Sequence, residues 1–455
     1  MKVLFKILFT IWLLAMLLNS VVAKASDFNG RWQGELRIND AMSVELVFNI
    51  AKKGNTYTAT MDVPGQQQFD VPFDKVNVTG QAIELKLSGA GIKYHGKLGE
   101  NVIKGTYSQN GAEFTLNMQR AEKVTMQKAQ KAKPRPQERS SNVDYVIEDV
   151  TFVNLNGGHQ LAGTLTIPKQ EVRHTAVLLS GSGPSNRDSF AYGHKVFLVL
   201  SDLLTKQGIA VLRFDDRGVG KSGGDHQTAT SIDFASDAQA AIAFVRQHKA
   251  LAQSKVGFIG HSEGGLIAII AAANNAPIDF IVSLAGPGTS GEQILIDQSQ
   301  ELQRIAGVPK TAMVENDKVQ RAILRAVAQD KSREELKQLM ATVGMNEQQI
   351  GQQLAQIDTP WFRTFVKADP AIYLPKINVP VLALNGGKDL QVVATTNIEG
   401  FKQHVKSDLL VTKIYDNLNH LFQPAKTGLP GEYAEIDITF SPKVAKDIAQ
   451  WVITQ

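Results

Sequence analysis

Residues 256–270 read "VGFIGHSEGGLIAII", two apolar runs that meet at a serine enclosed by glycines. The first run has the length and composition of a buried strand, and the second those of a buried helix. Ser262 would then lie in a tight strand-to-helix turn, where Gly260 and Gly264 let the two elements approach without side-chain collisions. Such a turn strains the serine and exposes its hydroxyl at the edge of a sheet. The stretch predicts an α/β fold with a candidate nucleophile at that edge.

The surrounding sequence repeats strand, helix and strand. The apolar runs "TAVLLSG" (175–181) and "IAVLRFD" (209–215) flank the helical segment "KVFLVLSDLLTKQG" (195–208). Further strand-like runs are "DFIVSLAG" (279–286), "PVLALNG" (380–386) and "LLVTKIY" (409–415), before a closing helix near 444–453. This alternation predicts one doubly wound, mostly parallel sheet over residues 143–455. Helical spacing at about 288–372 predicts an inserted helical cap, because so long a structureless loop is uncommon.

The first third of the chain has a different pattern. Apolar residues alternate with polar ones over 26–120, which predicts a small antiparallel barrel or sandwich of roughly seven or eight strands. Residues 121–142 are rich in Lys, Gln and Arg and contain two prolines, so they predict an exposed linker.

Residues 1–25 are typical of a secretory signal peptide. Lys2 and Lys6 precede an apolar run, and the small residues Ala23 and Ala25 follow it. An uncleaved anchor is the alternative, but the run is short for a bilayer. We therefore expect an exported protein, periplasmic or secreted, with no stable membrane span after cleavage.

Composition narrows the possible chemistry. The chain has no cysteine, which excludes disulfides, thiolate metal sites and a cysteine nucleophile. The net charge of +4 includes three lysines of the predicted signal peptide, so a nucleic-acid partner is not expected.

The pattern G-x-S-x-G occurs twice, around Ser262 and around Ser222. Only Ser262 lies between an apolar strand and an apolar helix, so we predict that Ser262 is the nucleophile. "GKS" at 220–222 suggests a phosphate-binding loop, but Asp215 stands where that motif requires a glycine. The segment "DDRGVGKS" (215–222) is better explained as a turn tied down by Arg217 and an aspartate.

A nucleophilic serine needs a base and an orienting acid, which follow it along the chain in this fold. Asp389 and His420 each come just after a predicted strand, at the edge where Ser262 is expected, and we predict that they complete the triad. His404 and Asp416 are competing candidates, within a helix and in a turn. His261 is expected to serve packing.

Two backbone N–H groups are expected to hold an oxyanion. One belongs to Glu263, in the first turn of the helix after Ser262, and the other to Ser182 in "LLSGSGP" (178–184). Arg217 is a candidate partner for the Glu263 carboxylate, which the sequence alone does not decide.

Together these residues resemble the α/β-hydrolase superfamily, specifically bacterial EstD-like carboxylesterases, which are related to serine aminopeptidase-like hydrolases. The segments that carry the resemblance are "GSGP" (181–184), "DDRGVGKSGG" (215–224), "GHSEGG" (260–265), "VPVLALNGGKDLQV" (379–392) and "NHLFQ" (419–423). "GRWQGEL" (30–36) and "YTATMDVPGQ" (57–66) resemble, more loosely, a lipocalin-like domain found before some of these esterases. Ser180 and Gly181 stand where many members have His-Gly, so this chain departs from the superfamily at the oxyanion loop.

The resemblance implies hydrolysis of small to medium acyl esters through an acyl-enzyme, with Ser262 as nucleophile, His420 as base and Asp389 as orienting acid. No metal or organic cofactor is expected, and the expected partner is a small-molecule ester. Two alternatives stay open, a peptidase or amidase with the same triad and a non-enzymatic exported protein that binds acyl ligands. The sequence does not indicate an oligomeric state.

Overall fold

In the computed structural model, the described residues are 27–39, 42–54, 56–63, 68–87, 92–109, 112–121, 135–139 and 142–455. The predicted signal peptide lies outside them. Contacts divide the chain into two compact units, Met1–Ala129 and Gln130–Gln455. No helix in the described ranges is both long enough and apolar enough to cross a membrane.

The first unit is one antiparallel sheet of ten strands. They are β1 (Gly30–Asn39), β2 (Met42–Lys53), β3 (Thr56–Val63), β4 (Gln68–Pro72), β5 (Lys75–Thr79), β6 (Ala82–Leu87), β7 (Ile92–Leu98), β8 (Val102–Gln109), β9 (Ala112–Thr115) and β10 (Met118–Ala121). The order is β4-β3-β2-β1-β10-β8-β7-β6-β5, and β9 pairs with β8. No described ladder joins β4 to β5, so the sheet is a half-barrel. Our estimate of seven or eight strands was low because β4, β9 and β10 are only four or five residues long.

The core of this unit lies on the concave face of the sheet. Trp32 and Tyr94 are fully buried there, and Phe48 packs edge-on against Tyr94 with the ring centroids 5.0 Å apart. The predicted alternation explains this core, since every second side chain of a strand points inward. The lipocalin-like assignment stays a prediction.

The second unit is built on a sheet of eight strands. They are β11 (Tyr145–Asn154), β12 (His159–Pro168), β13 (His174–Leu179), β16 (Ile209–Phe214), β17 (Lys255–His261), β18 (Phe280–Leu284), β19 (Val381–Gly386) and β20 (Leu410–Tyr415). A separate ribbon pairs β14 (Phe190–Ala191) with β15 (His194–Lys195). The order is β11-β12-β16-β13-β17-β18-β19-β20, parallel from β16 to β20 and antiparallel at the β11 and β12 end. The predicted mostly parallel, doubly wound sheet is confirmed, with the β11–β12 hairpin as an unpredicted edge.

Helices cover both faces of this sheet, and five further helices form a separate cap layer. They are α1 (Val196–Thr205), α2 (Ser231–Gln247), α3 (Glu263–Ala273), α4 (Gly291–Ile305), α5 (Lys310–Ala328), α6 (Arg333–Thr342), α7 (Glu347–Ile357), α8 (Pro360–Lys367), α9 (Pro370–Tyr373), α10 (Ala394–His404) and α11 (Pro442–Val452), with short 3-10 helices at Leu374–Lys376, Ser407–Leu409 and Pro430–Glu435. One apolar core joins α2, α3 and α10 to one face, and another joins α1 and α11 to the opposite face. Helices α4 to α8 occupy the segment predicted as the cap and share a core of their own.

Residues 122–134 and 140–141 of the predicted linker lie outside the described residues, and part of the remainder is anchored. Arg135 is 9% exposed, and its guanidinium donates to the carbonyls of Ile436 at 2.6 Å and Ala434 at 2.8 Å. Gln137 donates to the Phe440 carbonyl at 2.7 Å. Residues 135–137 therefore pack against residues 434–440 within the second unit, whereas an exposed linker was expected over 121–142.

Candidate active site

Ser262 lies in a tight turn between a strand and a helix. Strand β17 ends at His261, helix α3 begins at Glu263, and Ser262 between them has φ 55° and ψ −125°. A positive φ is strained for a residue with a side chain. The Ser262 amide donates to the Leu284 carbonyl at the end of β18, at 2.8 Å, which holds the strained residue in place. The side chain is left half-buried at the carboxyl edge of the sheet.

The glycines on either side of this turn are required by close backbone contacts. A Cβ at Gly260 would lie 2.1 Å from the Gly264 carbonyl oxygen, and a Cβ at Gly264 would lie 2.1 Å from the carbonyl oxygen of Leu179. Real Cβ atoms do not approach backbone so closely. The helix can therefore start against the end of β13 only where both positions lack a side chain.

Asp389 and His420 lie together at the same edge of the sheet. Asp389 follows β19, His420 follows β20, and His420 Nδ1 lies 2.8 Å from Asp389 Oδ2. Both residues are 4% exposed. The other carboxylate oxygen, Oδ1, accepts the backbone N–H groups of Gln391 and Val392 at 2.8 and 2.9 Å. These bonds fix the carboxylate, which in turn orients the imidazole.

The competing candidates lie elsewhere. His404 ends helix α10 and Asp416 is exposed in the turn after β20, and no hydrogen bond between described residues connects either of them to Ser262.

His261 connects the Ser262 turn to the loop of His420. Its Nε2 donates to the His420 carbonyl at 2.8 Å, and the two ring centroids are 4.7 Å apart. Burial, reinforced by the neighbouring His420, lowers the pKa of His261 to about 3, so the ring stays neutral. We expected only packing from His261, whereas the structure also gives it a bond that positions the His420 backbone.

No hydrogen bond in the described part of the chain connects Ser262 to His420. Ser262 Oγ has no hydrogen-bond partner within the described part of the chain, and His420 Nε2 has none either. Catalytic hydrogen bonds are often long in unliganded enzymes and tighten when substrate binds. The structure therefore joins Asp389 and His420 directly. Ser262 lies at the same edge of the sheet, and its neighbour in sequence, His261, is bonded to the His420 carbonyl.

The loop after β13 passes directly over Ser262. A Cβ at Gly181 would lie 3.0 Å from Ser262 Cβ and 3.6 Å from its Oγ. The backbone N–H groups of Ser182 and Glu263, the predicted oxyanion donors, have no acceptor among the described residues. Free donors beside a nucleophile are what a developing oxyanion requires.

The Glu263 carboxylate binds different partners from the one we expected. It accepts from Ser231 Oγ of α2 at 2.6 Å and from Trp361 Nε1 of α8 at 2.9 and 3.0 Å. Arg217 instead pairs with Asp237, at 2.6 Å, so the suggested Arg217–Glu263 pair is wrong. Glu263 is 2% exposed, and this burial raises the pKa of its carboxyl, which the Ser182 hydroxyl also contacts. One buried group thus links the nucleophile turn, the cap and the loop after β13.

A second buried carboxyl, that of Asp216, binds two residues of the loop after β13. Asp216 accepts from Ser180 Oγ at 2.6 Å and from the Ser185 backbone N–H at 2.9 Å. Burial raises the pKa of Asp216 to about 7, so its charge changes near neutral pH.

Ser222, in the other G-x-S-x-G match, is a structural residue. Its hydroxyl donates to the Asp215 carbonyl at 2.7 Å and accepts from the Ala162 N–H at 2.9 Å. It is buried and lies on no strand-to-helix turn. The choice of Ser262 over Ser222 from sequence context agrees with this arrangement.

No group of three or more His, Cys, Asp or Glu side chains in the described ranges is arranged to hold a metal ion. The residues at the site are a hydroxyl, an imidazole, carboxyls and backbone N–H groups, which together suit acyl transfer.

Comparison with known proteins identifies the family of this chain. Residues 194–423 match the hydrolase family described as serine aminopeptidase, S33. Esterase EstD of Thermotoga maritima is 25% identical over 367 residues, which cover 78% of this chain and 82% of that protein. Among solved structures, the Pyrococcus furiosus esterase Pf2001 has a TM-score of 0.43 at 16% identity, covering 70% of this chain and 96% of that one. Protein PA2218 of Pseudomonas aeruginosa has a TM-score of 0.45 at 15% identity, covering 71% and 97%. Because the family match spans just over half of its 455 residues, this chain belongs to the serine aminopeptidase, S33, family of hydrolases and is an α/β-hydrolase enzyme.

Proposed function

We propose that this enzyme is a serine carboxylesterase that cleaves small to medium acyl esters through an acyl-enzyme. The observation that carries the proposal is the 2.8 Å bond between His420 and Asp389 at the edge where the strained Ser262 turn lies. A serine, an imidazole and a carboxylate in these roles form the minimal nucleophilic machinery for acyl transfer.

Each group has a defined role in the proposed reaction. As Ser262 Oγ attacks the ester carbonyl carbon, its proton passes to His420 Nε2, and the imidazolium is stabilised by Asp389. The carbonyl oxygen becomes an oxyanion held by the N–H groups of Glu263 and Ser182. His420 then protonates the departing alcohol, and the acyl group stays on Ser262.

Water completes the cycle by the same route. His420 takes a proton from a water molecule, which attacks the acyl carbon, and the acid leaves as the proton returns to Ser262. All proton transfers use one base, so no metal or organic cofactor enters the proposal.

An aminopeptidase with the same triad is the second candidate, because the family description names one. Recognition of a substrate ammonium group requires an accessible carboxylate. Glu263, in the nucleophile turn, and Asp216, which contacts the loop after β13, are both buried and occupied by hydroxyl, indole and amide donors. This argues for an uncharged ester, as does the relative named an esterase.

The test is a substrate panel on purified protein that lacks residues 1–25. We expect turnover of p-nitrophenyl esters of increasing acyl length and little turnover of aminoacyl p-nitroanilides. Ser262→Ala should lose at least about a thousandfold in kcat. Ser222→Ala is the matched control, which should remain active although its thermal stability falls.

Other outcomes separate the alternatives. Faster cleavage of the aminoacyl amides than of the esters would establish the peptidase. Failure to turn over either class, in protein that still binds fatty acids, would favour the non-enzymatic binding protein. Equal esterase activity in wild type and Ser262→Ala would contradict the mechanism.

Export to the periplasm or the medium is a further proposal, supported by the sequence pattern of residues 1–25 alone. Fractionation of the producing cell, with N-terminal sequencing of the mature protein, tests it.

A further inference from the structure

A charged cavity of about 470 Å³ lies in the second unit, formed by residues that take no part in the proposed reaction. Strands β12 and β16, helix α1 and the loop that precedes β14 all contribute to its wall. Five of the lining residues are basic: Arg139, Arg187, Lys195, Arg213 and Lys221. Such a concentration of positive charge in one cavity is unfavourable unless anions neutralise it.

The carboxylates of the wall neutralise three of the five. Arg187 pairs with Asp215 at 2.7 Å and with Asp149 at 3.5 Å, Lys195 pairs with Glu138 at 2.9 Å, and Arg213 pairs with Asp188. No described carboxylate lies within ion-pair distance of Arg139 or Lys221. Five basic residues against four carboxylates leave the lining with one excess positive charge, and the two bases without a described ion pair are Arg139 and Lys221.

Two buried guanidinium nitrogens in this wall lack acceptors. Arg213 is 2% exposed, and its Nε has no hydrogen-bond partner. The Nη1 atom of Arg139 is also buried without a partner. A buried N–H donor without an acceptor is costly, and it is rare in native proteins. Burial and the nearby positive charges of Arg139 and Arg187 lower the pKa of Arg213, which indicates how poorly this charge is compensated.

We propose that this cavity binds a small oxyanion, a carboxylate or a phosphate, through Arg139 and Arg213. An oxyanion supplies the acceptors that the two guanidiniums lack, since planar N–H donors match carboxylate and phosphate oxygens. Lys221, which is exposed and has no carboxylate partner among the described residues, adds attraction for the ligand. The ligand neutralises the remaining positive charge of the wall.

The site is separate from the proposed catalytic centre, although one loop connects them. Asp188, the partner of Arg213, lies six residues after Ser182 in the loop that passes Ser262. Loss of the anion site should leave the ester chemistry in place, so failure of this inference and failure of the proposed function are distinguishable.

Isothermal titration calorimetry on the full mature chain tests the inference, with inorganic phosphate in one arm and succinate in the other. Both titrations are run in chloride buffer at constant ionic strength, so that general salt effects cancel. We expect saturable binding of at least one of the two anions, and the better ligand identifies the oxyanion class. Arg139→Gln should weaken that binding at least tenfold, and Lys221→Gln should weaken it by less.

The control is Arg173→Gln, which removes a positive charge from an arginine whose side chain is 80% exposed. It should bind like wild type. Arg213→Gln is made as well, and because its burial puts folding at risk, the conclusion depends on Arg139→Gln. Absence of saturable binding for both anions, or equal affinity in wild type and Arg139→Gln, would overturn the inference.

Discussion

Replacing Asp389 by asparagine exchanges one carboxylate oxygen for an amide NH2 and should nearly abolish catalysis. Oδ1 accepts two backbone N–H groups, from Gln391 and Val392, so the amide oxygen of the new side chain must occupy that position. The amide NH2 then faces His420 Nδ1, where a carboxylate oxygen lay at 2.8 Å. Because a donor now meets Nδ1, the imidazole takes the tautomer with its proton on Nε2. It can no longer accept the proton of Ser262.

The expected loss follows from this tautomer change. In a Ser-His-Asp triad the wrong tautomer lowers kcat by about 10⁴, which corresponds to about 5.5 kcal/mol of transition-state stabilisation. Stability should fall as well, by about 1–3 kcal/mol, because Asn385 Nδ2 loses the acceptor that it reaches at 3.3 Å. The catalytic loss should exceed any effect of partial unfolding at 25 °C.

Steady-state hydrolysis of p-nitrophenyl butyrate measures kcat, and urea unfolding measures stability. Asp416→Asn is the matched control, because this exposed aspartate lies in the turn that leads to His420, and it should keep wild-type kcat. If Asp389→Asn folds and retains kcat within about tenfold of wild type, Asp389 does not orient His420 and the reasoning fails.

Three further experiments test the contacts and the buried charge around the site. Gly264→Ala brings a Cβ to 2.1 Å from the Leu179 carbonyl oxygen and should destabilise the fold by about 3 kcal/mol or more. Its control, Gly351→Ala, places a Cβ in open space on helix α7 and should stabilise the fold by about 0.5–1 kcal/mol. Urea unfolding that ranks the two variants otherwise would refute the steric argument. Trp361→Phe removes the indole N–H that the buried Glu263 carboxyl accepts, and the free energy of unfolding should fall by about 1–3 kcal/mol. An unchanged urea midpoint would show that this bond contributes nothing to stability. Because the pKa of Asp216 is raised from 3.8 to about 7, the folded state holds a proton that the unfolded state releases between these pH values. This group should therefore lower the free energy of unfolding by up to about 4 kcal/mol between about pH 4 and pH 7. Asp216→Asn should flatten the fall, and an equal slope in both proteins would contradict the assignment.

The parts of the site that the sequence predicted are those set by local pattern or by chain order. The apolar runs on either side of Ser262 have strand and helix lengths, and the adjacent glycines mark a turn, so the elbow could be predicted from fifteen residues. Asp389 and His420 could be predicted because each follows an apolar strand, and parallel strands end at one edge.

The parts that sequence analysis missed depend on contacts between distant residues. Trp361 lies 98 positions from Glu263, and nothing in the spacing of either indicates their bond. The hairpin of β11 and β12 was missed because β11 is partly exposed without being strongly apolar, and β12 contains Gly163 and two threonines. His261 was undervalued because its partner is a backbone carbonyl, which every residue possesses. A possible signal in its favour was its position next to the nucleophile.

The central claim is that Ser262, activated by His420, is the nucleophile. Labelling with a fluorophosphonate, followed by peptide mass spectrometry, tests it most directly, because the reagent forms a stable adduct only with an activated serine. We predict one adduct per chain, on the peptide that contains Ser262, abolished in Ser262→Ala and retained in Ser222→Ala. An adduct on a different serine, or esterase activity that survives while Ser262 stays unlabelled, would contradict the account.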